Sequence, residues 1–133
     1  MTAVFADAFY YIALLNRSDQ FHAAAVEATR NLSQPLVTTS WVLLEVADAL
    51  SAPAVRARTH QFLQQLATDP NTRVLSDHDP WYARGLTLYG RRPDKSWSLT
   101  DCISFEVMTE HGLTDALTGD HHFEQAGLRA LLK

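Results

Sequence analysis

Short, fully apolar segments alternate with longer segments of helical periodicity along this 133-residue chain. Four apolar segments are predicted to be buried strands, and a fifth candidate follows near the C-terminus: 3–6, 36–38, 73–75, 116–118 and 128–132. Helices are predicted between them: 8–16, 20–33, 40–51, 53–68, 77–91 and 98–112. This alternation is typical of an α/β fold built around a mainly parallel sheet of four or five strands.

Composition and length indicate one domain over residues 1–133. Hydrophobic residues make up 47% of the chain, which is enough for a single core. Cys102 is the only cysteine, so no internal disulfide can form, and a cytoplasmic setting is expected. It is predicted to be a small buried core residue. Neither a signal-peptide pattern nor an apolar segment of membrane-spanning length is seen, so no membrane partner is expected.

Four acidic residues lie at the ends of apolar segments or inside them. Asp7 directly follows the first predicted strand, and Asp120 lies two residues after the fourth. Asp101 is in the first turn of the helix predicted from 98, and Glu45 lies within an apolar helical segment. Because ligands bind beyond the carboxyl ends of parallel strands, we expect all four carboxylates at one edge of the sheet. Such carboxylates are costly to bury unpaired, so a shared divalent cation is the simplest compensation.

Each acid also has a purely structural interpretation. Asp7 and Asp120 are candidates for helix N-caps, and Asp101 is a candidate for the acidic member of a capping box that starts at Ser98. Glu45 has almost no polar face to occupy in its segment, but an arginine partner would also compensate its charge. At this point both interpretations stay open for each residue.

In their order and spacing, four segments resemble the PIN-domain ribonucleases over essentially the whole chain: Val4–Asp7, Thr39–Val46, Ser98–Phe105 and Leu117–Phe123. A lone domain of this length resembles the VapC-type toxins of type II toxin–antitoxin pairs. The resemblance implies a three-layer α/β/α sandwich in which Asp7, Glu45, Asp101 and Asp120 coordinate Mg²⁺ or Mn²⁺. Hard oxygen donors also favour these ions over Zn²⁺. One departure is Ala8, where many members of the family have Ser or Thr.

The expected activity is that of a metal-dependent endoribonuclease, which hydrolyses RNA phosphodiester bonds with a metal-activated water. Asp7 and Asp101 are the candidates for direct metal ligands. Asp120 would complete the site, and Glu45 would do the same or help to activate the nucleophile. Thr118 is a candidate for orienting a metal-bound water through its hydroxyl, although an ordinary threonine at a strand end explains it as well.

Other polar and aromatic residues near these segments have simpler interpretations. His121 and His122 are adjacent, so we expect their side chains to diverge as an exposed loop pair. Trp97 is the one tryptophan for which exposure beside a polar loop is expected. The net charge of −4 does not favour nucleic-acid binding, but Arg91, Arg92 and Lys95 form a local basic run near Asp101. They are candidates for RNA contacts, and a solvated loop explains them equally well.

The expected partners follow from the resemblance. They are an RNA substrate, with tRNA or another structured RNA as candidates, a small antitoxin protein, and a second copy of the chain in a homodimer. Apolar anchors for the antitoxin are expected near Phe9, Tyr10, Leu14 and Leu43. Two alternatives remain open. One is a non-catalytic α/β binding module with a degenerate site, and the other is a solitary RNA-processing nuclease without an antitoxin.

Overall fold

The computed structural model describes residues 2–76 and 80–132. Within them, five strands form one sheet: β1 (Val4–Ala6), β2 (Leu36–Thr39), β3 (Thr72–Leu75), β4 (Asp115–Leu117) and β5 (Arg129–Ala130). The strand order is β3-β2-β1-β4-β5, and each neighbouring pair is parallel. The predicted parallel sheet is therefore confirmed, including the fifth strand, and so is the α/β/α class of fold.

Seven helices are found in the same ranges: α1 (Ala8–Leu15), α2 (His22–Asn31), α3 (Ser40–Ala49), α4 (Pro53–Leu66), α5 (Trp81–Arg91), α6 (Leu99–Glu110) and α7 (His121–Gln125). The first three residues of the helix predicted over 77–91 lie outside the described residues, and the observed helix begins at Trp81. The short helix α7 was not predicted. In the described part of the chain, no helix has the length and apolar character needed to cross a membrane.

The helix starts follow from local sequence. Thr39 ends β2 and accepts a hydrogen bond from the backbone N–H of Val42 (3.1 Å), so it caps α3. Pro53 occupies the first turn of α4, where its missing N–H costs nothing. Ser98 and Asp101 form the capping box that begins α6.

The two central strands are fully buried, and this explains their apolar sequence. All three residues of β1 and all four of β2 are buried. Thr38 is a buried polar residue in the middle of the sheet, and its hydroxyl donates a hydrogen bond to the carbonyl oxygen of Ala6 at 2.7 Å. Because this donor is satisfied, β2 keeps a threonine in the core at little cost.

A chain of aromatic contacts joins the segments that carry the acids. Phe105 in α6 packs edge-on against Phe123 in α7, with ring centroids 5.0 Å apart, and Phe5 in β1 lies 6.4 Å from Phe123. Trp97 packs edge-on against Phe105 at 5.0 Å, and its indole N–H donates to Gln125. The expectation that Trp97 is exposed was therefore wrong, since only 6% of it is accessible. These contacts fix the positions of β1, α6 and α7 relative to one another.

Candidate metal and active site

Asp7 and Thr118 meet at the carboxyl edge of the sheet because β1 and β4 are adjacent. Ala6 pairs with Leu117, so the next residue of each strand stands level with the other. The hydroxyl of Thr118 donates to Oδ2 of Asp7 at 2.8 Å and accepts from the backbone N–H of Asp120 at 3.1 Å. Thr118 thus uses its only hydrogen on a carboxylate, and the same hydroxyl fixes the backbone that carries Asp120.

Asp7 is buried, with 5% of its surface accessible. The pKa of its carboxyl is raised from 3.8 to about 7. Burial is the largest cause and the carboxylates of Asp101 and Glu45 add to it, whereas hydrogen bonds from Thr118 and from the backbone of Ala8 oppose it. Asp7 stands at the N-cap position of α1, but its side chain makes no capping hydrogen bond. The purely structural explanation of this acid is therefore not realised in the structure.

Asp101 does have the structural role that the sequence allowed. Its Oδ2 accepts from the backbone N–H of Ser98 (3.1 Å), while its own N–H donates to the hydroxyl of Ser98 (3.0 Å). Burial raises the pKa of the Asp101 carboxyl, and Asp120 adds to this effect, whereas the bonds from Ser98 and His122 oppose it. Within the described residues, Oδ1 has no hydrogen-bond partner, so this oxygen remains available to a ligand.

Asp120 also caps a helix. Its Oδ1 accepts from the backbone N–H of His122 at 2.9 Å, which starts α7. The ring of His122 then turns back toward two acids, with Nδ1 3.2 Å from Oδ2 of Asp101 and 3.4 Å from Oδ1 of Asp120. His122 therefore lies between these carboxylates as a half-buried residue.

The two histidines do not diverge. Their ring centroids are 4.4 Å apart, and one ligand atom from each of Asp120, His121 and His122 lies within 4.8 Å of the others. The prediction of an exposed pair is correct for His121, whose side chain is 66% accessible, and wrong for His122, at 20%. An Asp cap followed by two histidines was the signal for this cluster, because the first turn of a capped helix folds back on its cap.

Glu45 lies on the exposed face of α3 beside Leu44, which is 60% accessible. The helix does offer this glutamate an exposed face, contrary to expectation. Desolvation raises the pKa of its carboxyl even so, and the charges of Asp101 and Asp120 add to this, while the hydroxyl of Thr100 opposes it. Glu45 has no arginine partner within the described ranges. Its charge interacts with those of the other three acids, Asp7, Asp101 and Asp120.

The chemistry of the four acids suits a divalent cation, although the compact group of possible ligand atoms in the described residues is Asp120, His121 and His122. The donors are carboxylate oxygens, which suit Mg²⁺ or Mn²⁺, and no Lys or Arg in the described part of the chain pairs with any of the four acids. Asp7, Glu45 and Asp101 have raised pKa values, caused by burial and by one another, so each would be easier to ionise beside a cation.

The three basic residues predicted to contact RNA lie in different surroundings. Arg92 forms two hydrogen bonds of 3.0 Å with Asp94, and its guanidinium lies over the ring of Trp97. Lys95 places its ammonium 5.9 Å from the centroid of the same ring. Arg91, the last residue of α5, is exposed.

The apolar anchors expected for an antitoxin are only partly accessible. Tyr10 is buried, and its hydroxyl is hydrogen-bonded to Thr29 at 2.7 Å, so it belongs to the core. Phe9, Leu14 and Leu43 are half-buried against that core. The large apolar side chains that are exposed lie elsewhere: Leu44, Tyr82, Leu86 and Tyr89.

Solved structures give the fold a known counterpart. A scan against protein-family models finds no match, and a search of curated proteins finds none either. The sarcin-ricin loop cleaving toxin VapC20 of Mycobacterium tuberculosis superposes with a TM-score of 0.86 at 23% identity, covering 95% of this chain and 96% of that one. FitAcB of Neisseria gonorrhoeae superposes with a TM-score of 0.68 at 15% identity, covering 96% of each chain. The chain therefore has the fold of the VapC-type PIN domains.

Proposed function

We propose that this protein is a metal-dependent endoribonuclease and the toxin of a type II toxin–antitoxin pair. The observation that carries the proposal is the grouping of Asp7, Glu45, Asp101 and Asp120 at the carboxyl edge of the sheet, without a Lys or Arg partner in the described ranges. Support also comes from the similar fold of VapC20, a toxin that cleaves the sarcin-ricin loop. A structured RNA is accordingly the proposed substrate class.

Asp7 and Asp101 are the proposed direct ligands of Mg²⁺ or Mn²⁺, with Asp120 and Glu45 completing the site. When bound, the cation would lower the pKa of a water molecule and offset negative charge on the phosphate in the transition state. Thr118 holds one oxygen of Asp7 in place, so the carboxylate is oriented before substrate arrives.

The remaining groups are positioned to support proton transfer and ligand geometry. The capping box fixes Asp101 relative to the start of α6, and His122 lies between Asp101 and Asp120. Glu45 is accessible from solvent and burial raises its pKa, which supports a role in completing the metal site or in taking a proton from the attacking water. Each of these side chains acts from a rigid helix or strand end rather than from a long loop.

The proposed partners other than RNA are a small antitoxin and a second copy of the chain. An antitoxin that inhibits the enzyme would bring an Arg or Lys to the acidic cluster, because such a cation pairs with the same carboxylates that bind the metal. Arg91, Arg92 and Lys95 are proposed to contact the RNA backbone. Recovery of a complex after co-expression with the product of the adjacent gene tests the toxin assignment separately from the nuclease assignment.

The nuclease assignment is tested by isosteric removal of single charges. We expect Asp101→Asn and Glu45→Gln to reduce Mn²⁺-dependent cleavage of structured RNA by orders of magnitude, because each removes a ligand or proton acceptor. Glu27→Gln is the control, since Glu27 is an exposed acid on α2 and is not among the charges that act on the acidic cluster. Circular dichroism checks that each variant is folded. If Asp101→Asn and Glu45→Gln both cleave RNA at the rate of the parent, the assigned site is wrong.

A non-catalytic α/β binding module is the second candidate, and one observation favours it. Asp101 and Asp120 both cap helices, so both have a structural use that needs no metal. If the parent protein cleaves neither single-stranded nor structured RNA in Mg²⁺ or Mn²⁺, while Asp101→Asn lowers its melting temperature, this candidate replaces the nuclease.

A further inference from the structure

A cleft of about 780 Å³ lies between the end of α5 and the start of α6. Its lining includes Tyr89 from α5, Arg92 and Lys95 from the following loop, and Trp97 and Ser98 before α6. This volume is in the range of roughly 300–1,000 Å³ that small ligands occupy in proteins.

The cleft borders the start of α6, the helix that carries Asp101. Ser98 lines the cleft and also exchanges two hydrogen bonds with Asp101, at 3.0 and 3.1 Å. A molecule in the cleft therefore lies one helical turn from a proposed metal ligand. If a phosphodiester group is bound at the acids, a neighbouring nucleotide of the same strand is within reach of the cleft.

Two aromatic residues line the cleft, and they have different roles. Trp97 is buried. The charged groups of Arg92 and Lys95 lie 5.1 and 5.9 Å from the centroid of its ring, so Trp97 stabilises these cations through cation–π contacts. Tyr89 is 52% accessible and presents the exposed aromatic ring. An exposed ring beside cations is the arrangement on which proteins stack bases of single-stranded nucleic acids.

The charges in the cleft are not equivalent. The guanidinium of Arg92 is already paired with Asp94 at 3.0 Å. Lys95 forms no ion pair in the described part of the chain, and it is half-buried, with its ammonium near the ring of Trp97. Lys95 is therefore the better-placed cation of the cleft for a phosphate, since Arg92 already has Asp94 as an ion-pair partner; Asp94 is also within electrostatic range of Lys95.

We propose that this cleft binds one unpaired nucleotide of a structured RNA next to the phosphate that is cleaved, with the base stacked on Tyr89 and a phosphate held by Lys95. The proposal rests on the proposed nuclease function for its orientation toward the acidic cluster. It assigns substrate recognition to residues that the acidic site does not include.

The test is equilibrium binding of a short, fluorescently labelled single-stranded RNA in buffer with chelator, so that no cleavage occurs. We expect Tyr89→Leu to weaken binding by about tenfold, and Tyr89→Phe to retain binding, because stacking needs the ring and not the hydroxyl. Tyr82→Leu is the matched control. Tyr82 lies two turns earlier on α5 and is 50% accessible, but it does not line the cleft.

Lys95→Ala provides a second and independent measurement. We expect it to weaken binding and to lower the dependence of log affinity on log salt by about 0.7, the change for one lost phosphate contact to a single strand. Arg30→Ala serves as its control, because Arg30 is exposed in the last turn of α2 and lies outside the cleft. If Tyr89→Leu fails to fold, Lys95→Ala still decides the proposal.

The outcomes distinguish a failure of the proposed RNA-binding cleft from a failure of the proposed nuclease activity. Metal-dependent cleavage by the parent, together with parental RNA affinity in Tyr89→Leu and Lys95→Ala, overturns the cleft and leaves the nuclease standing. Weakened binding in both variants, with no cleavage by the parent, supports the cleft and removes the nuclease. A change of oligomeric state in Tyr89→Leu without loss of RNA affinity would reassign the ring to a protein interface. Preferential competition by an acidic peptide over RNA also overturns the proposal.

Discussion

Replacing Asp7 with Asn is expected to stabilise the metal-free protein while removing a proposed metal ligand. Asp7 is buried near Asp101 and Glu45, and its pKa is raised to about 7. Asparagine has nearly the same shape, carries no charge, and its oxygen can still accept the hydrogen bond from Thr118. The variant thus removes an electrostatic penalty and keeps the packing.

The size of the penalty follows from the pKa. A rise from 3.8 to about 7 is roughly three pKa units, and at about 1.36 kcal/mol per unit it corresponds to about 4 kcal/mol. Because the folded-state pKa lies above the unfolded one, the folded protein binds the proton more tightly. This contribution to stability is complete below about pH 4 and is lost as the pH rises through about 7. We therefore expect Asp7→Asn to exceed the parent in unfolding free energy by up to about 4 kcal/mol near pH 8.

Urea denaturation with chelator, at about pH 5 and about pH 8, measures this difference. The advantage of Asp7→Asn should shrink toward the lower pH, and added Mn²⁺ should stabilise the parent more than the variant. Glu27→Gln is the control, since Glu27 is an exposed acid on α2. Equal stability of Asp7→Asn and the parent at the higher pH would refute the argument that ionised Asp7 is costly without a cation.

Two further predictions concern the hydroxyl of Thr118 in the site and the close packing of α5 against α6 at Gly85. Thr118→Val should reduce RNA cleavage by about tenfold, because the carboxylate that its hydroxyl holds loses its orientation, and Thr118→Ser should restore most of the rate. Gly85→Ala should lower the melting temperature clearly, since a Cβ there would meet backbone atoms of Ile103 at 2.9 Å, whereas Gly90→Ala should be tolerated because a Cβ there has nothing within 4 Å.

The sheet could be predicted from the sequence because its strands are short apolar runs. Val4–Ala6 is apolar throughout since both faces of β1 are covered, and the acid that follows marks where the chain leaves the sheet. The position of Asp7 at the carboxyl edge follows from that pattern alone. Its bond to Thr118 does not, because it depends on the pairing of β1 with β4, 111 positions apart.

The parts that were missed depend on tertiary contacts. Trp97 is near a polar loop in the sequence, but Phe105 and Gln125 draw it into the core. Helix α7 has only five residues, too few to show a helical period, so the sequence did not predict it. The position of His122 in its first turn was missed for the same reason. The burial of a side chain against a distant partner leaves no periodic trace in the local sequence.

The pairing of β1 with β4 also governs when the acidic cluster exists during synthesis. Asp7 is made 111 residues before Thr118, and Asp120 follows Thr118 by two positions. The hydrogen bond that orients Asp7 spans 111 positions, so a growing chain cannot form it until β4 has left the ribosome. A nascent or truncated chain that stops before Thr118 lacks Asp120, one of the four acids, and also the hydroxyl that orients Asp7. If the protein cleaves RNA as proposed, the ribosome that makes it is exposed to a completed site only after β4 and Asp120 have been made.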